Sequence, residues 1–100
     1  MGGFKKDKVE KAFKTKGTER AYFNEVRAKD HIYYYFIVNG VDVGIWTKVS
    51  HGSGKSFIGD NLLSMMAKQL HIKKQIMNEY FSCTKDCEDI NKILVASGDI

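Results

Sequence analysis

An Asn39-Gly40 pair stands between two long apolar runs and predicts a tight β-hairpin. Both central residues of a type I′ turn need positive φ, and Asn-Gly adopts that conformation at low cost. Successive side chains of a strand point to opposite faces, so counting outward from the turn divides the hairpin into two faces. The predicted core face carries Ile32, Tyr34, Phe36 and Val38 on one strand and Val41, Val43, Ile45 and Thr47 on the other.

The opposite face of this hairpin has a different composition. Pairing from the turn places Tyr33 opposite Trp46 and His31 opposite Lys48. Gly44, in the second of the two strands, indicates a bulge or a site where an aromatic ring lies across the backbone. Aromatic rings, a cation and a histidine therefore share one surface, and binding or chemistry is expected there.

The remaining segments predict an α+β fold. Residues 5–16 have apolar side chains at helical spacing, and Gly17 can end this helix. Three strands then form an antiparallel meander, and helices follow it, so the order is α-β-β-β-α with two additional C-terminal helices and the helices on one face of the sheet. The strands are predicted over 21–27, 31–38 and about 41–50, and the later helices begin at an Asp60 cap, span about 73–82, and run from a Thr84 cap to Gly98.

The helix that begins at Asp60 carries the apolar side chains that would cover the sheet. They recur at the spacing of one helix face. Met65 is also predicted to fill the core, because methionine adapts to irregular gaps. The predicted core residues of this helix are Leu62, Leu63, Met65, Met66, Ala67 and Leu70.

The neighbour of His31 on the first strand depends on the length of one loop. A three-residue loop over 28–30 places Arg27 opposite His31 and Phe23 opposite Tyr35, both on the aromatic side. A slip of one residue would move Arg27 to the core side, because the side-chain period of a strand is two. The position of Arg27 beside His31 therefore depends on the loop length, whereas the position of Lys48 depends on the hairpin turn.

Length and charge limit the classes of function. One hundred residues make a single domain, 1–100, and the net charge of +4 is concentrated in residues 1–30, which hold nine Lys/Arg against five Asp/Glu. No apolar run approaches the roughly 20 residues that a membrane helix needs, and the N-terminus lacks the apolar segment of a signal peptide. A cytoplasmic protein without a membrane partner is expected, with the basic end as the contact for an anion.

Two cysteines, Cys83 and Cys87, are expected to be reduced thiols in that compartment. Their spacing could seat a metal, but a tetrahedral site needs four ligands and only distant histidines could complete it. No metal and no cofactor are therefore predicted.

A glycine-rich loop, Gly52-Ser53-Gly54-Lys55-Ser56, lies between the third strand and the next helix. It is not a nucleotide-triphosphatase phosphate loop, because Val49 stands where that motif needs a glycine and the sheet is antiparallel. The loop predicts a contact to a nucleic-acid phosphate, or alternatively a connector whose glycines permit positive φ. The predicted phosphate contacts are His51, Gly52, Gly54 and Lys55.

His31 is the only histidine placed on a predicted strand, and it stands at the start of that strand. Cations at Lys48 and Arg27 would lower the pKa of His31 below the usual value of about 6.5, so that the neutral ring could accept a proton. That chemistry suits a general base acting on a ribose 2′-hydroxyl, with Lys48 or Arg27 holding the phosphate. The alternative is a histidine that only packs on Tyr33 and Trp46.

The aromatic side chains of the same surface predict a platform for nucleic acid. Tyr33, Tyr35, Trp46 and Phe23, with Lys48 at the edge, match the composition that stacks bases and grips single strands. An apolar sheet face of this size is also typical of a surface that a partner protein, a second copy of the chain or the C-terminal helices would cover.

These motifs resemble the HicA-type toxins, and more closely a related set of small uncharacterised archaeal and bacterial proteins. The resemblance covers roughly residues 8–72, leaving 73–100 as a C-terminal helical extension, and within the related set it continues to Cys83. Its marks are the basic first helix, the Asp30-His31 strand opening, the Ser50-His51-Gly52-Ser53-Gly54 loop, Gly59-Asp60 and the helix that ends in Met66-Ala67-Lys68-Gln69-Leu70.

The resemblance implies a fold similar to that of double-stranded-RNA-binding domains. It also implies cleavage of mRNA by a histidine at the start of the second strand, which corresponds to His31, and neutralisation by a partner antitoxin. The usual Gly-Ser-His-His run is Lys29-Asp30-His31-Ile32 in this chain. Two hypotheses follow: an mRNA endoribonuclease with His31 as general base, or a non-enzymatic module of the same fold that binds RNA, a protein or a second copy of itself.

Overall fold

The computed structural model describes residues 3–50 and 57–100 of the protein. The main sheet is antiparallel and three-stranded, with the strands in chain order. Four α-helices accompany it in the described part of the chain, which confirms the predicted α+β fold. The elements are β1 (Gly3–Lys5), α1 (Lys6–Ala12), β2 (Phe23–Arg27), β3 (His31–Val38), β4 (Val41–Ser50), β5 (Phe57–Gly59), α2 (Asp60–Gln69), α3 (Lys74–Phe81) and α4 (Cys87–Ser97).

The β3–β4 hairpin turns at Asn39 and Gly40, as predicted. Their φ angles are 52° and 78°, and Val38 pairs with Val41 across the turn, which is the geometry of a two-residue type I′ connection. Val41 was predicted to be in the core but is exposed, and Val43 is only half-buried. The core face of the hairpin therefore ends short of its tip.

A bulge interrupts the pairing of β3 with β4. Ile37 pairs with Asp42, but the next registered pair is Tyr35 with Trp46, so β4 contains two more residues than β3 in this interval. Gly44 lies in the bulge with φ 81°, and its N–H donates to the Asp42 carboxylate at 2.8 Å. The sequence indicated the bulge through Gly44 but did not give its size.

The two extra residues equal one period of the pleat, so they shift every partner without exchanging the faces. Tyr33 pairs with Lys48, and His31 pairs with Ser50. The predicted pairs of Tyr33 with Trp46 and of His31 with Lys48 are therefore wrong by two positions. The assignment of these side chains to the face opposite the core is unaffected.

The register of β2 differs from the prediction by one residue. Phe23 pairs with Phe36 and Arg27 pairs with Ile32, and the Ala28 N–H donates to the His31 carbonyl at 2.8 Å to close a longer loop. Phe23 is therefore in the core, not on the aromatic side, and its ring makes edge contacts with Phe36 at 5.3 Å. Burial of this phenyl group is the physical reason for the register.

The first helical segment is irregular. Val9, Ala12 and Phe13 are buried as predicted, but α1 ends at Ala12 and continues as a π-helical turn to Gly17, which a 3₁₀ turn follows. A Cβ atom on Gly17 would lie 2.7 Å from Cδ2 of Phe23. Close packing against β2 therefore requires a glycine at this position, where the π-helical turn ends.

The caps of the later helices differ from the predictions. Asp60 is the first residue of α2, where Gly59 is the cap, and its carboxylate pairs with Lys74 at the start of α3. Asp86 caps α4 through reciprocal bonds with Asp89, while the predicted cap, Thr84, donates its hydroxyl to a carbonyl of α3. The end of α4 at Gly98 is as predicted, with φ 83°.

The buried stripe of α2 is narrower than the sequence suggested. Leu63, Met66, Ala67 and Leu70 are buried. Leu62 and Met65 were predicted to be in the core, but they are 42% and 41% exposed. They lie one helical turn apart on the flank of the stripe, because residues three apart share a face.

A second, two-stranded sheet joins β1 to β5 in antiparallel pairing, from Gly3 with Gly59 to Lys5 with Phe57. The sequence did not predict it, because strands of three residues are too short to show a period of two. The antiparallel pairing places the start of α1 beside the start of β5, and the start of α2 beside the start of β1.

The C-terminal helices belong to the same core as the sheet. The ring of Phe13 stacks on Tyr34 of β3, with ring centroids 4.3 Å apart. The buried Tyr80 of α3 donates its hydroxyl to the Ala12 carbonyl at 3.0 Å, and the Cys87 thiol donates to that hydroxyl at 3.4 Å. None of the helices in the described part of the chain is long and apolar enough to cross a membrane.

The buried Cys87 makes stability depend on pH. Burial raises the pKa of the Cys87 thiol to about 12. In the unfolded chain the thiol loses its proton near pH 8.5, so the folded state binds more protons between about pH 9 and 12, and stability falls as pH rises. We expect the free energy of unfolding, measured in urea, to fall by about 1 kcal/mol more in the wild type than in Cys87→Ala between pH 8 and 9.5.

The exposed Cys83 provides the matched control for this measurement. Cys83→Ala should keep the full pH-dependent loss of the wild type, because this variant retains the buried Cys87 thiol. Equal pH dependence in the wild type and Cys87→Ala would contradict the assignment.

Candidate nucleic-acid interface

Three aromatic side chains form one array on the sheet face opposite the core, which we call the aromatic face: Tyr33, Tyr35 and Trp46. The rings of Tyr33 and Tyr35 are stacked at 17° with centroids 6.2 Å apart, because the residues are two positions apart on β3. Trp46 lies across the strands, 5.8 Å from Tyr33 and 6.2 Å from Tyr35. The tyrosines are half-buried and Trp46 is 37% exposed, so ring surface remains open.

His31 and Lys48 lie at one end of the aromatic face. The His31 ring is tilted by 52° to Tyr33, with centroids 6.2 Å apart, and Lys48 is the strand partner of Tyr33. Both side chains line one cavity of about 340 Å³. The structure therefore brings the predicted base and the predicted phosphate anchor to the same place, although they are not cross-strand partners.

Arg27 does not join this group. Its strand partner is the buried Ile32, so it lies on the core side of the sheet at the end of β2, where its guanidinium remains exposed. Its Nε donates to the Glu25 carboxylate at 2.9 Å. The predicted position of Arg27 opposite His31 is wrong, because the register of β2 is fixed by the burial of Phe23. The exposed Val26 pairs with Tyr33 instead.

The four predicted phosphate contacts of the glycine-rich loop lie outside the described residues. The sequence places them between the end of β4 and the start of β5. They are His51, Gly52, Gly54 and Lys55.

Other side chains of the cavity were not recognised as site residues from the sequence. Phe57, Leu62 and Met65 contribute apolar surface, and Lys6 contributes a nearly buried ammonium that pairs with Glu10 at 3.6 Å. One signal was available in the sequence: the apolar stripe of α2 is wider than a single buried face requires. Lys6 had no such signal, since its burial depends on the β1–β5 pairing.

The chemistry of this region is that of rings, cations and one imidazole. Among the residues that the structure describes, no group of three His, Cys, Asp or Glu side chains could hold a metal ion. Exposed rings bind the faces of nucleobases, an ammonium binds phosphate, and a histidine can accept a proton near neutral pH. The aromatic face and the cavity at its end therefore bring ring faces, a cation and an imidazole together.

Comparison with known proteins yields no relative: no family model, no curated protein and no solved structure matches this chain.

The arrangement of the aromatic face depends on the bulge at Gly44, because the bulge sets which residue of β4 pairs with Tyr35. A side chain at φ 81° is strained, although no atom lies within 4 Å of an added Cβ. We expect Gly44→Ala to lower the free energy of unfolding in urea by about 1–2 kcal/mol. Gly44→Asn should lose less, since asparagine tolerates this conformation. Equal stability of Gly44→Ala and the wild type would contradict the positive φ.

Proposed function

We propose that this chain is an RNA-binding domain that stacks the bases of a single strand on its aromatic face. The observation that carries the proposal is the open array of Tyr33, Tyr35 and Trp46, whose rings contact one another. Stacking on aromatic side chains contributes about 1–3 kcal/mol per base and does not depend on base identity. A sheet that presents such rings is a recurrent platform for single-stranded RNA.

The charge distribution supports a polyanionic ligand. Lys48 ends the aromatic face, and within the described residues no carboxylate forms an ion pair with it. The net charge of the chain is +4. A strand stacked along the array would bring a phosphate to Lys48, where Coulomb attraction and counterion release favour binding.

We further propose, from the HicA resemblance, that the domain cleaves mRNA in the cytosol. His31 takes the proton of a ribose 2′-hydroxyl, and the 2′-oxygen attacks the adjacent phosphorus. The bond from phosphorus to the 5′-oxygen breaks, which leaves a 2′,3′-cyclic phosphate, and the 5′-oxygen takes a proton from water. The hydroxide that remains takes the proton from His31 and regenerates the base. Lys48 stabilises the negative charge on the phosphoryl oxygens.

The same rings supply the contact for a protein partner. An antitoxin, as the resemblance implies, or a second copy of the chain would compete with RNA for Trp46, since exposed aromatic side chains dominate protein interfaces. A competing partner would thus neutralise the proposed activity by occupying the aromatic face.

Salt-dependent binding of a fluorescent oligouridine tests the RNA-binding function. We expect Tyr35→Ala to weaken binding by at least fivefold, and Lys48→Ala to reduce the slope of log affinity against log salt by about 0.7, which corresponds to one phosphate contact on a single strand. Lys92→Ala is the matched control, because Lys92 is exposed on α4 and pairs with Glu88. A salt-independent affinity, or an unchanged affinity in Tyr35→Ala, would disprove the proposal.

Cleavage of a labelled mRNA fragment tests the catalytic role. We expect His31→Ala to lower the rate by 10²-fold or more, which is the usual contribution of a general base. His71→Ala is the control, because His71 bonds to Asp99 beyond the end of α2. Cleavage that persists in His31→Ala would remove this residue from the mechanism. RNA binding by the wild type without cleavage would identify a non-enzymatic module.

A further inference from the structure

The cavity beside His31 has walls that the aromatic face does not supply. It lies where the open end of the β3–β4 hairpin meets α2 and β5, and its volume of about 340 Å³ falls within the range of small-molecule sites, roughly 300–1,000 Å³. It has an apolar wall and a basic wall. The apolar wall includes Phe57, Leu62 and Met65, and the basic wall includes Lys6, His31 and Lys48.

The apolar wall carries exposed side chains that the core does not need. Phe57 is 60% exposed, and Leu62 and Met65 are each about two-fifths exposed. Three large apolar side chains that converge on one concavity leave surface in contact with water, which favours a ligand with a flat apolar part. A free phosphate would leave this wall unused.

The basic wall gives the ligand its sign of charge. Among the described residues that line the cavity, three are basic and none is acidic. Lys6 is paired with Glu10, so Lys48 and His31 supply the donors that face the aromatic side. A purely apolar ligand would leave these groups desolvated without a partner, which is unfavourable.

We propose that this cavity binds a single nucleotide, with the base against Phe57, Leu62 and Met65 and the phosphate at Lys48 and His31. The inference rests on the proposed function in one respect: His31 and Lys48 belong to both surfaces, so a strand stacked on Tyr35 and Tyr33 continues into the cavity. The nucleotide that enters is unstacked from its neighbours. The domain therefore selects single-stranded RNA, since a base held in a duplex cannot enter.

Titration of the ¹⁵N-labelled protein with adenosine 5′-monophosphate tests the cavity directly. We expect saturable shifts of amide resonances in α2 and β5, and an affinity at least tenfold above that for adenosine or for inorganic phosphate alone, because the site recognises both parts. No saturable shift, or equal affinity for inorganic phosphate, would overturn the proposal.

A matched pair of variants locates the site. Met65 and Val95 are both exposed apolar residues on helices, so glutamate at either position is compatible with folding. Met65→Glu places a negative charge in the cavity and should lower the affinity for the monophosphate by tenfold or more. Val95→Glu on α4 should keep an affinity within twofold of that of the wild type. Equal effects of the two variants would overturn the assignment to this cavity.

Oligouridine binding by the same variants separates the two proposals. Tyr35→Ala should weaken RNA binding and leave the affinity for the monophosphate unchanged, because Tyr35 does not line the cavity. If Tyr35→Ala leaves RNA affinity unchanged while Met65→Glu still loses the monophosphate, the proposed function fails and the nucleotide site stands. Loss of both ligands in Met65→Glu assigns the site to a nucleotide of an RNA chain, and loss of the monophosphate alone assigns it to a free nucleotide.

Discussion

The alternation of side chains along β3 is the constraint on which the rest of this structure depends. Ile32, Tyr34 and Phe36 are almost completely buried, and the ring of Tyr34 stacks on Phe13 of the first helical segment. Successive side chains of a strand point to opposite faces of the sheet. Because these three are buried in the core, Tyr33 and Tyr35 lie on the opposite face. The burial of one face of β3 therefore determines both the core and the aromatic face.

In the neighbouring strands, one extra residue exchanges the faces of a strand, whereas two extra residues leave the faces unchanged. The bulge at Gly44 adds two residues to β4, which restores the period, so Trp46 and Lys48 remain on the side expected from the sequence although every partner changes. The loop before β3 is longer by one residue, which exchanges the faces of β2. Phe23 enters the core for that reason, and Arg27 is lost from the surroundings of His31.

The cavity beside His31 depends on contacts between segments that are distant in the chain. Lys6 reaches it because β1 pairs with β5, and Leu62 and Met65 reach it because α2 turns its narrower stripe toward the sheet. Neither event has a strong local signal: strands of three residues show no periodicity, and helix orientation is set by packing. The same reasoning applies to the cap of α4, where Asp86 and Asp89 satisfy each other's backbone groups and Thr84 is left to bond α3.

The sequence by itself determined the α+β class, the type I′ turn at Asn39-Gly40, the limits of β3 and β4, and the face on which Tyr33, Tyr35, Trp46 and Lys48 lie. These features follow from local conformational preference and from a period of two, which are properties of neighbouring residues. Only the tertiary structure decided the register of β2, the size of the bulge and the composition of the cavity. Those features depend on how much apolar surface distant segments can bury together, and that balance exists only in the folded chain.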